Sequence, residues 1–223
     1  MLAKTHPFFP KFVELMKRVS EHEPIYDLGT SGRFAKEMSF VRHLFEQKQY
    51  KAGGYQPDLT VAEPCDLHCD VQDLQGLATN SVGSIISLEV LEHVQDPKKT
   101  LEEAFRVLRP GGVCLLSTPF LTSYHGKTAF QANGPLEISN DHASYADYWR
   151  FTHEGLFFLF KAAGFSSIEI YPINGPISAR LELLKLQNIL QHVPFLWRWI
   201  YEREKPRLGK MTTRHFVLAR KEL

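Results

Sequence analysis

Ile85 to Val94 reads I-I-S-L-E-V-L-E-H-V, and Phe105 to Gly112 reads F-R-V-L-R-P-G-G; these two stretches decide the fold. Val82 to Leu88, with Ile85-Ile86 at its middle, reads as a strand. Asp96-Pro97 then opens a helix, because Asp caps exposed N–H groups and Pro suits the first helical position. Leu101, Phe105 and Leu108 recur at helical spacing and form its apolar stripe. Pro110-Gly111-Gly112 is expected to stop that helix and turn the chain into a strand from Val113 to Ser117. A strand, a helix and a second strand in this order form a parallel crossover unit, which is right-handed.

Outward from that unit the alternation continues. Upstream, Phe8 to Val19 predicts a helix and Pro24 to Asp27 a strand, ended by the turn L-G-T-S-G from Leu28 to Gly32. A helix is expected from about Phe34 to Gln47, then strands at Tyr50 to Tyr55 and Leu59 to Val61. Downstream, Thr152 is placed to cap a helix that runs through Ala163 and ends at Gly164. Ile168 to Tyr171 and His215 to Ala219 predict two late strands, separated by a Leu-rich helix from Ile177 to about Val193. The whole predicts an α/β chain with a doubly wound, Rossmann-like, seven-stranded sheet, mostly parallel with its last strand antiparallel, and helices on both faces. The ends of the first and fourth strands then border one ligand crevice.

The composition narrows the function. The 223 residues are 43% hydrophobic and 23% charged, enough for a sizeable core, and 26 basic against 25 acidic residues leave a net charge of +1. Such a balance argues against a broad electrostatic grip on nucleic acid. Three cysteines do not make a disulfide scaffold. The first residues lack the apolar core of a signal peptide, and no run approaches the length of a membrane span, so a cytoplasmic location is expected. The single domain is expected to cover 1–223, with 121–150 and 177–206 as substrate or lid insertions.

The turn D-L-G-T-S-G-R-F lets a ligand approach the backbone at Gly29 and Gly32. Cys69-Asp70-Val71 follows, then L-E-V-L-E-H-V, then R-V-L-R-P-G-G. In this order the segments resemble the class I S-adenosylmethionine-dependent methyltransferases, in particular small single-domain enzymes of type 11, from about Ile25 to Phe165. His142 to Thr152, H-A-S-Y-A-D-Y-W-R-F-T, is similar to a segment of a subgroup associated with polysaccharide and secondary-metabolite pathways.

The resemblance implies S-adenosylmethionine as cofactor. Asp27, Gly29 and Gly32 would lie near its methionine and ribose parts, Asp70 and Val71 at the adenine, and Leu88 and Glu89 under the methionine. His93 would support the neighbouring loop. It also implies in-line methyl transfer. For a hydroxyl nucleophile, His142 is the expected general base, with Asp147 orienting it or binding substrate, Tyr148 and Trp149 stacking on the acceptor and Arg150 taking a carboxylate or phosphate. This sequence departs from the family pattern in its shortened first turn at Thr30-Ser31. Gly54 stands where a ribose-binding acidic residue is usual, with Asp58 a candidate replacement, and Gly83 stands where another acidic residue is usual. These departures motivate the alternative of a non-catalytic binding or scaffold protein.

Other constellations carry less. Cys65, His68 and Cys69 form C-x-x-H-C without a fourth ligand at a convincing spacing, so no metal is expected. No G-x-S-x-G suggests a serine hydrolase. V-P-F-L-W-R-W-I-Y, Val193 to Tyr201, places aromatics beside arginine, which suits peripheral contact with a membrane or a lipid-linked substrate as well as a packed lid. The expected acceptor is a small molecule or glycan.

Overall fold

Ile25 to Leu28 must be buried because three of its four residues are large and apolar, and it forms β1 at the centre of the sheet. The computed structural model describes residues 2–55, 60, 62–126, 146–190, 192–204 and 210–222. Six further strands are β2 (Tyr50–Gly54), β3 (Leu67–His68), β4 (Val82–Leu88), β5 (Leu108–Pro119), β6 (Ser167–Ile173) and β7 (Arg214–Arg220). Their order across the sheet is β3-β2-β1-β4-β5-β7-β6. Neighbours from β3 through β5 pair in parallel, whereas β7 runs antiparallel to both β5 and β6. This is the doubly wound sheet expected, with the chain reversing its winding between β1 and β4.

Each face has its own apolar cluster. Helix α1 (Phe9–Ser20) brings Phe12, Leu15, Met16 and Val19 onto Ile25, Ile86 and Leu115. On the other face α2 (Pro97–Val107) and α3 (His153–Ala162) bring Leu101, Ala104, Leu156 and Phe160 onto Ile85, Cys114 and Leu116. Asp96 Oδ1 accepts from the Lys99 N–H, and Thr152 Oγ1 from the Gly155 N–H, so both predicted caps form.

Several expected boundaries move. In place of a helix over 34–47 there are two 3-10 turns, Lys36–Phe40 and Arg42–Leu44. Phe34 and Lys36 have left-handed φ of +53° and +52°, which no α-helix propagates through. Leu59 and Val61 lie outside the described residues; the third strand is Leu67–His68. Pro110-Gly111-Gly112 does not separate helix from strand, since β5 already starts at Leu108 and carries them. The Leu-rich segment is divided into α4 (Pro176–Leu183) and α5 (Gln187–Leu190), with Lys185 at φ +59° between them. Pro194 opens α6 (Pro194–Glu204).

Gly83 is fixed by backbone contact. A Cβ there would sit 2.4 Å from the carbonyl oxygens of both His22 and Glu23. Gly83→Ala is therefore expected to cost about 1–3 kcal/mol and to lower the melting temperature by roughly 3–10 °C. A thermal melt unchanged within 1 °C would show that this chain segment yields to a side chain.

Candidate functional site

The turn after β1 folds sideways onto β2. The N–H groups of Gly29 and Thr30 donate to the Gly53 carbonyl at 2.7 and 3.2 Å. Gly29 has φ +81°, and a Cβ there would lie 2.4 Å from a Val90 methyl, so the β1 turn and the segment after β4 touch at the switch point. Thr30 Oγ1 donates to the Gly32 carbonyl at 2.9 Å and holds the shortened loop closed. A Cβ on Gly54 would fall 2.2 Å from the Thr30 carbonyl oxygen. The expected ribose carboxylate is thus replaced by backbone: the short turn occupies the space a side chain at Gly54 would need. Asp58 lies outside the described residues.

Asp27 is enclosed at 2% exposure, and its Oδ2 accepts from the Tyr50 hydroxyl at 2.5 Å. Burial pushes its carboxyl up to about 7, against a smaller opposing effect of that hydrogen bond. Burial also raises the Tyr50 phenol. Asp70 sits beyond β3, half-buried, and its Oδ1 accepts from the Gln72 N–H at 2.8 Å. Val71 beside it is buried. Glu89 follows Leu88 at the end of β4 with a left-handed φ of +55°, a strained position for a residue with a side chain. Ser117 holds it there: the Glu89 N–H donates to the Ser117 carbonyl at 3.0 Å, and Ser117 Oγ donates to Glu89 Oε1 at 2.9 Å. The expected cofactor positions thus comprise a turn of small residues, the half-buried Asp70 carboxylate and the Leu88–Glu89 strand end.

The two sequence motifs L-E-H and D-Y-W-R prove to be one unit. The N–H groups of Tyr148 and Trp149 both donate to the Glu92 carbonyl, at 2.8 and 3.3 Å, and Trp149 Nε1 donates to the Val94 carbonyl at 2.8 Å. Asp147 and Arg150 pair with each other, with Nη2 to Oδ2 at 2.7 Å. That pair, with a backbone bond from His125, holds the Asp147 carboxyl below its usual range although burial opposes this. Tyr148 and Trp149 keep 47% and 39% of their surface exposed, whereas Arg150 is committed to Asp147. His142, the proposed base, lies outside the described residues.

His125, which the sequence reading passed over, stands beside this unit. Its Nε2 is 3.1 Å from His93 Nε2 and 3.7 Å from Glu92 Oε1, and its Nδ1 is 3.3 Å from Asp147 Oδ2. The carboxylates of Glu92 and Asp147 raise the His125 imidazole, while burial lowers that of His93. Glu92 is fully enclosed, and burial raises its carboxyl. The only sequence signal for His125 is its place a few residues past β5, where crevice loops of such sheets begin. Next to it opens a groove of about 410 Å³ whose lining includes Glu89, Leu121, His125, Glu182, Lys185 and Arg214. Cys65 and Cys69 do not gather with His68 as metal ligands; Cys65 Sγ instead donates to the Thr30 carbonyl at 3.4 Å.

The strand order β3-β2-β1-β4-β5-β7-β6, with β7 antiparallel, is that of a Rossmann-like, methyltransferase-type fold. Residues 32–116 match the family model described as "Methyltransferase domain". A probable S-adenosylmethionine-dependent methyltransferase of Mycolicibacterium smegmatis is 51% identical over 39 residues, 18% of this chain and 15% of that protein. The ubiquinone biosynthesis O-methyltransferase of Psychrobacter cryohalolentis is 39% identical over 51 residues, 23% of this chain and 20% of its own length. The matches thus span at most a fifth of these relatives. Among solved structures, a SAM-dependent methyltransferase of Archaeoglobus fulgidus superposes with TM-score 0.55 at 13% identity, covering 94% of each chain. The Haemonchus contortus phosphoethanolamine N-methyltransferase 2 in complex with S-adenosyl-L-methionine gives TM-score 0.54 at 17% identity, covering 96% of this chain and 53% of that one. At these identities the structural likeness is one of fold.

Proposed function

We propose that this chain is an S-adenosylmethionine-dependent methyltransferase acting on a small, hydroxyl-bearing acceptor, a sugar or a lipid-linked glycan among them. The observation that carries the reading is the contact of the Gly29 turn with Val90 directly beside the strained Glu89, at the point where the sheet reverses its winding. The cofactor supplies an electrophilic methyl on a good leaving group, so the protein's share is alignment and exclusion of water. Asp70 would accept from the adenine amino group, and the Gly29 to Gly32 turn would run beneath the sugar and methionine. The groove beside Glu89 mixes cations (Lys36, Lys185, Arg214) with carboxylates (Glu37, Glu89, Glu182), which favours a polar acceptor. Ile177, Leu184, Ile189, Phe195 and Trp199 are exposed along α4 to α6, with Lys185, Arg198 and Arg203 among them; this supports peripheral contact with a lipid-linked acceptor. Among the described residues no helix is long and apolar enough to cross a membrane.

Calorimetric titration with S-adenosylhomocysteine tests the proposal. Saturable binding is expected, with an apparent gain of about 2.7 kcal/mol at a hundredfold excess over the dissociation constant. Asp70→Ala should weaken it roughly 10–100-fold, the worth of a hydrogen bond to a charged group. Failure to bind at millimolar concentration would overturn methyl transfer. It would favour instead a non-catalytic binding role, for which the Thr30 carbonyl against Gly54 is the specific structural support.

A further inference from the structure

We propose that Glu92, His93 and His125 form a binding site for a borderline first-row divalent cation of the zinc class, set in the wall of the groove. The three donor atoms are separated by 3.1 Å (His93 Nε2 to His125 Nε2), 3.6 Å (His93 Nε2 to Glu92 Oε1) and 3.7 Å (His125 Nε2 to Glu92 Oε1). An ion about 2.1 Å from each would see them at angles of roughly 95–125°, three corners of a tetrahedron with a fourth left open. These atoms come from two segments that follow neighbouring strands. Glu92 and His93 come from the 3-10 turn after β4, and His125 comes from the loop after β5, so the fold itself assembles the set.

The surroundings fix which atoms face the centre. His93 Nδ1 lies against the Ala146 carbonyl, which only accepts; Nδ1 therefore carries the hydrogen and Nε2 presents a lone pair. His125 Nδ1 faces Asp147 Oδ2 at 3.3 Å and the Ser123 carbonyl at 3.5 Å, so its hydrogen too is on the outer nitrogen. Arg150 fixes Asp147 in turn. A carboxylate and a carbonyl behind two imidazoles are what orient metal-bound histidines. Glu92 Oε1 adds a third lone-pair donor; it is fully buried and, among the described residues, has no hydrogen-bond partner. A cation at their centre would bring these three lone pairs together in place of a proton between the two histidines. Two imidazoles and one carboxylate select a zinc-class ion over magnesium, which prefers oxygen and water.

None of the three ligands is a residue assigned to the cofactor, so the test of the site needs no cofactor. An ion there would present its open position to the groove, where it would take an oxygen of the bound acceptor; that last step rests on the proposed methyl transfer. The full chain, stripped with chelator, is titrated with Co²⁺ by calorimetry and visible absorption, then competed with Zn²⁺ and with Mg²⁺. One equivalent of Co²⁺ should bind with a tetrahedral-type visible spectrum, be displaced by Zn²⁺ and resist Mg²⁺. His125→Ala and Glu92→Gln should weaken binding by 10–100-fold or more, and Asp147→Asn by about tenfold. His125 is partly exposed, so its removal leaves the fold to be verified by an unchanged circular dichroism spectrum. Binding that survives both ligand variants, or disappears in Cys65→Ser/Cys69→Ser, would place the ion elsewhere and overturn the site. Absence of binding in the parent protein would assign the cluster to a proton shared by the two histidines, and would leave the S-adenosylhomocysteine result untouched.

Discussion

At pH 8 the Asp27→Asn protein is expected to be more stable than the parent, by up to about 4 kcal/mol, and at pH 4 the two should melt together. Asp27 is enclosed, and its carboxyl titrates near 7 in the folded protein against an ordinary value of 3.8. Between those two values the folded chain keeps a proton that the unfolded chain has released. Stability from this group is thus fully present below about pH 4 and is lost as pH rises to 7. Three units correspond to roughly 4 kcal/mol, an upper bound because the enclosure relaxes around a charge. Asparagine still accepts from the Tyr50 hydroxyl and has no proton to lose. Melting curves at both pH values decide the matter: a gap that does not change with pH would mean that Asp27 is not the titrating group.

The second large effect is expected at Glu204. Its carboxylate, 2% exposed, accepts from the Ile177 N–H, from the Ser178 N–H at 3.0 Å and from Ser178 Oγ at 2.5 Å. It thereby caps the N-terminus of α4 from α6, where the helix dipole favours negative charge. Gly175 leaves the space, since a Cβ there would approach Glu204 to 2.7 Å. Glu204→Ala should strand those donors and cost about 3–5 kcal/mol, confined to the α4–α6 unit. Because Glu182, Leu183 and Lys185 line the groove, the acceptor KM should rise with little change in S-adenosylhomocysteine affinity. Amide exchange would show the loss of protection over 176–204; uniform loss across the sheet would instead make Glu204 a global keystone.

The sheet was legible because its central strands are rich in branched and large apolar residues, as at Ile85-Ile86 and Leu115-Leu116, and its best helices carry both a cap and a stripe, as at Asp96-Pro97 with Leu101. Where the signal rested on spacing alone, it misled. Met38, Val41 and Leu44 recur every three residues, which suits a 3-10 turn as well as an α-helix, and the left-handed residues 34 and 36 decided between them. The site was half legible. Gly29, Asp70 and Glu89 sit at strand ends, where topology fixes position. The meeting of Glu92, His93 and His125 joins two loops more than thirty residues apart along the chain, and no local pattern announces such a contact. Gly54 and Gly83 read as lost side chains in sequence. In three dimensions each is a place where backbone presses on backbone.

The position of β7 bears on how the chain is made. It follows β6 in sequence yet it fills a gap, pairing on one side with β5 and on the other with β6, and among the described residues β6 has no other neighbour in the sheet. During synthesis β6 must therefore wait, edge exposed, until residues 214–220 have emerged. Half the width of the sheet can settle early around β1 and β4, but the half that carries β6 closes only once β7 has been made. Interrupted translation products of this protein should be correspondingly prone to strand-to-strand association, and a chaperone that shields open sheet edges would act late rather than early.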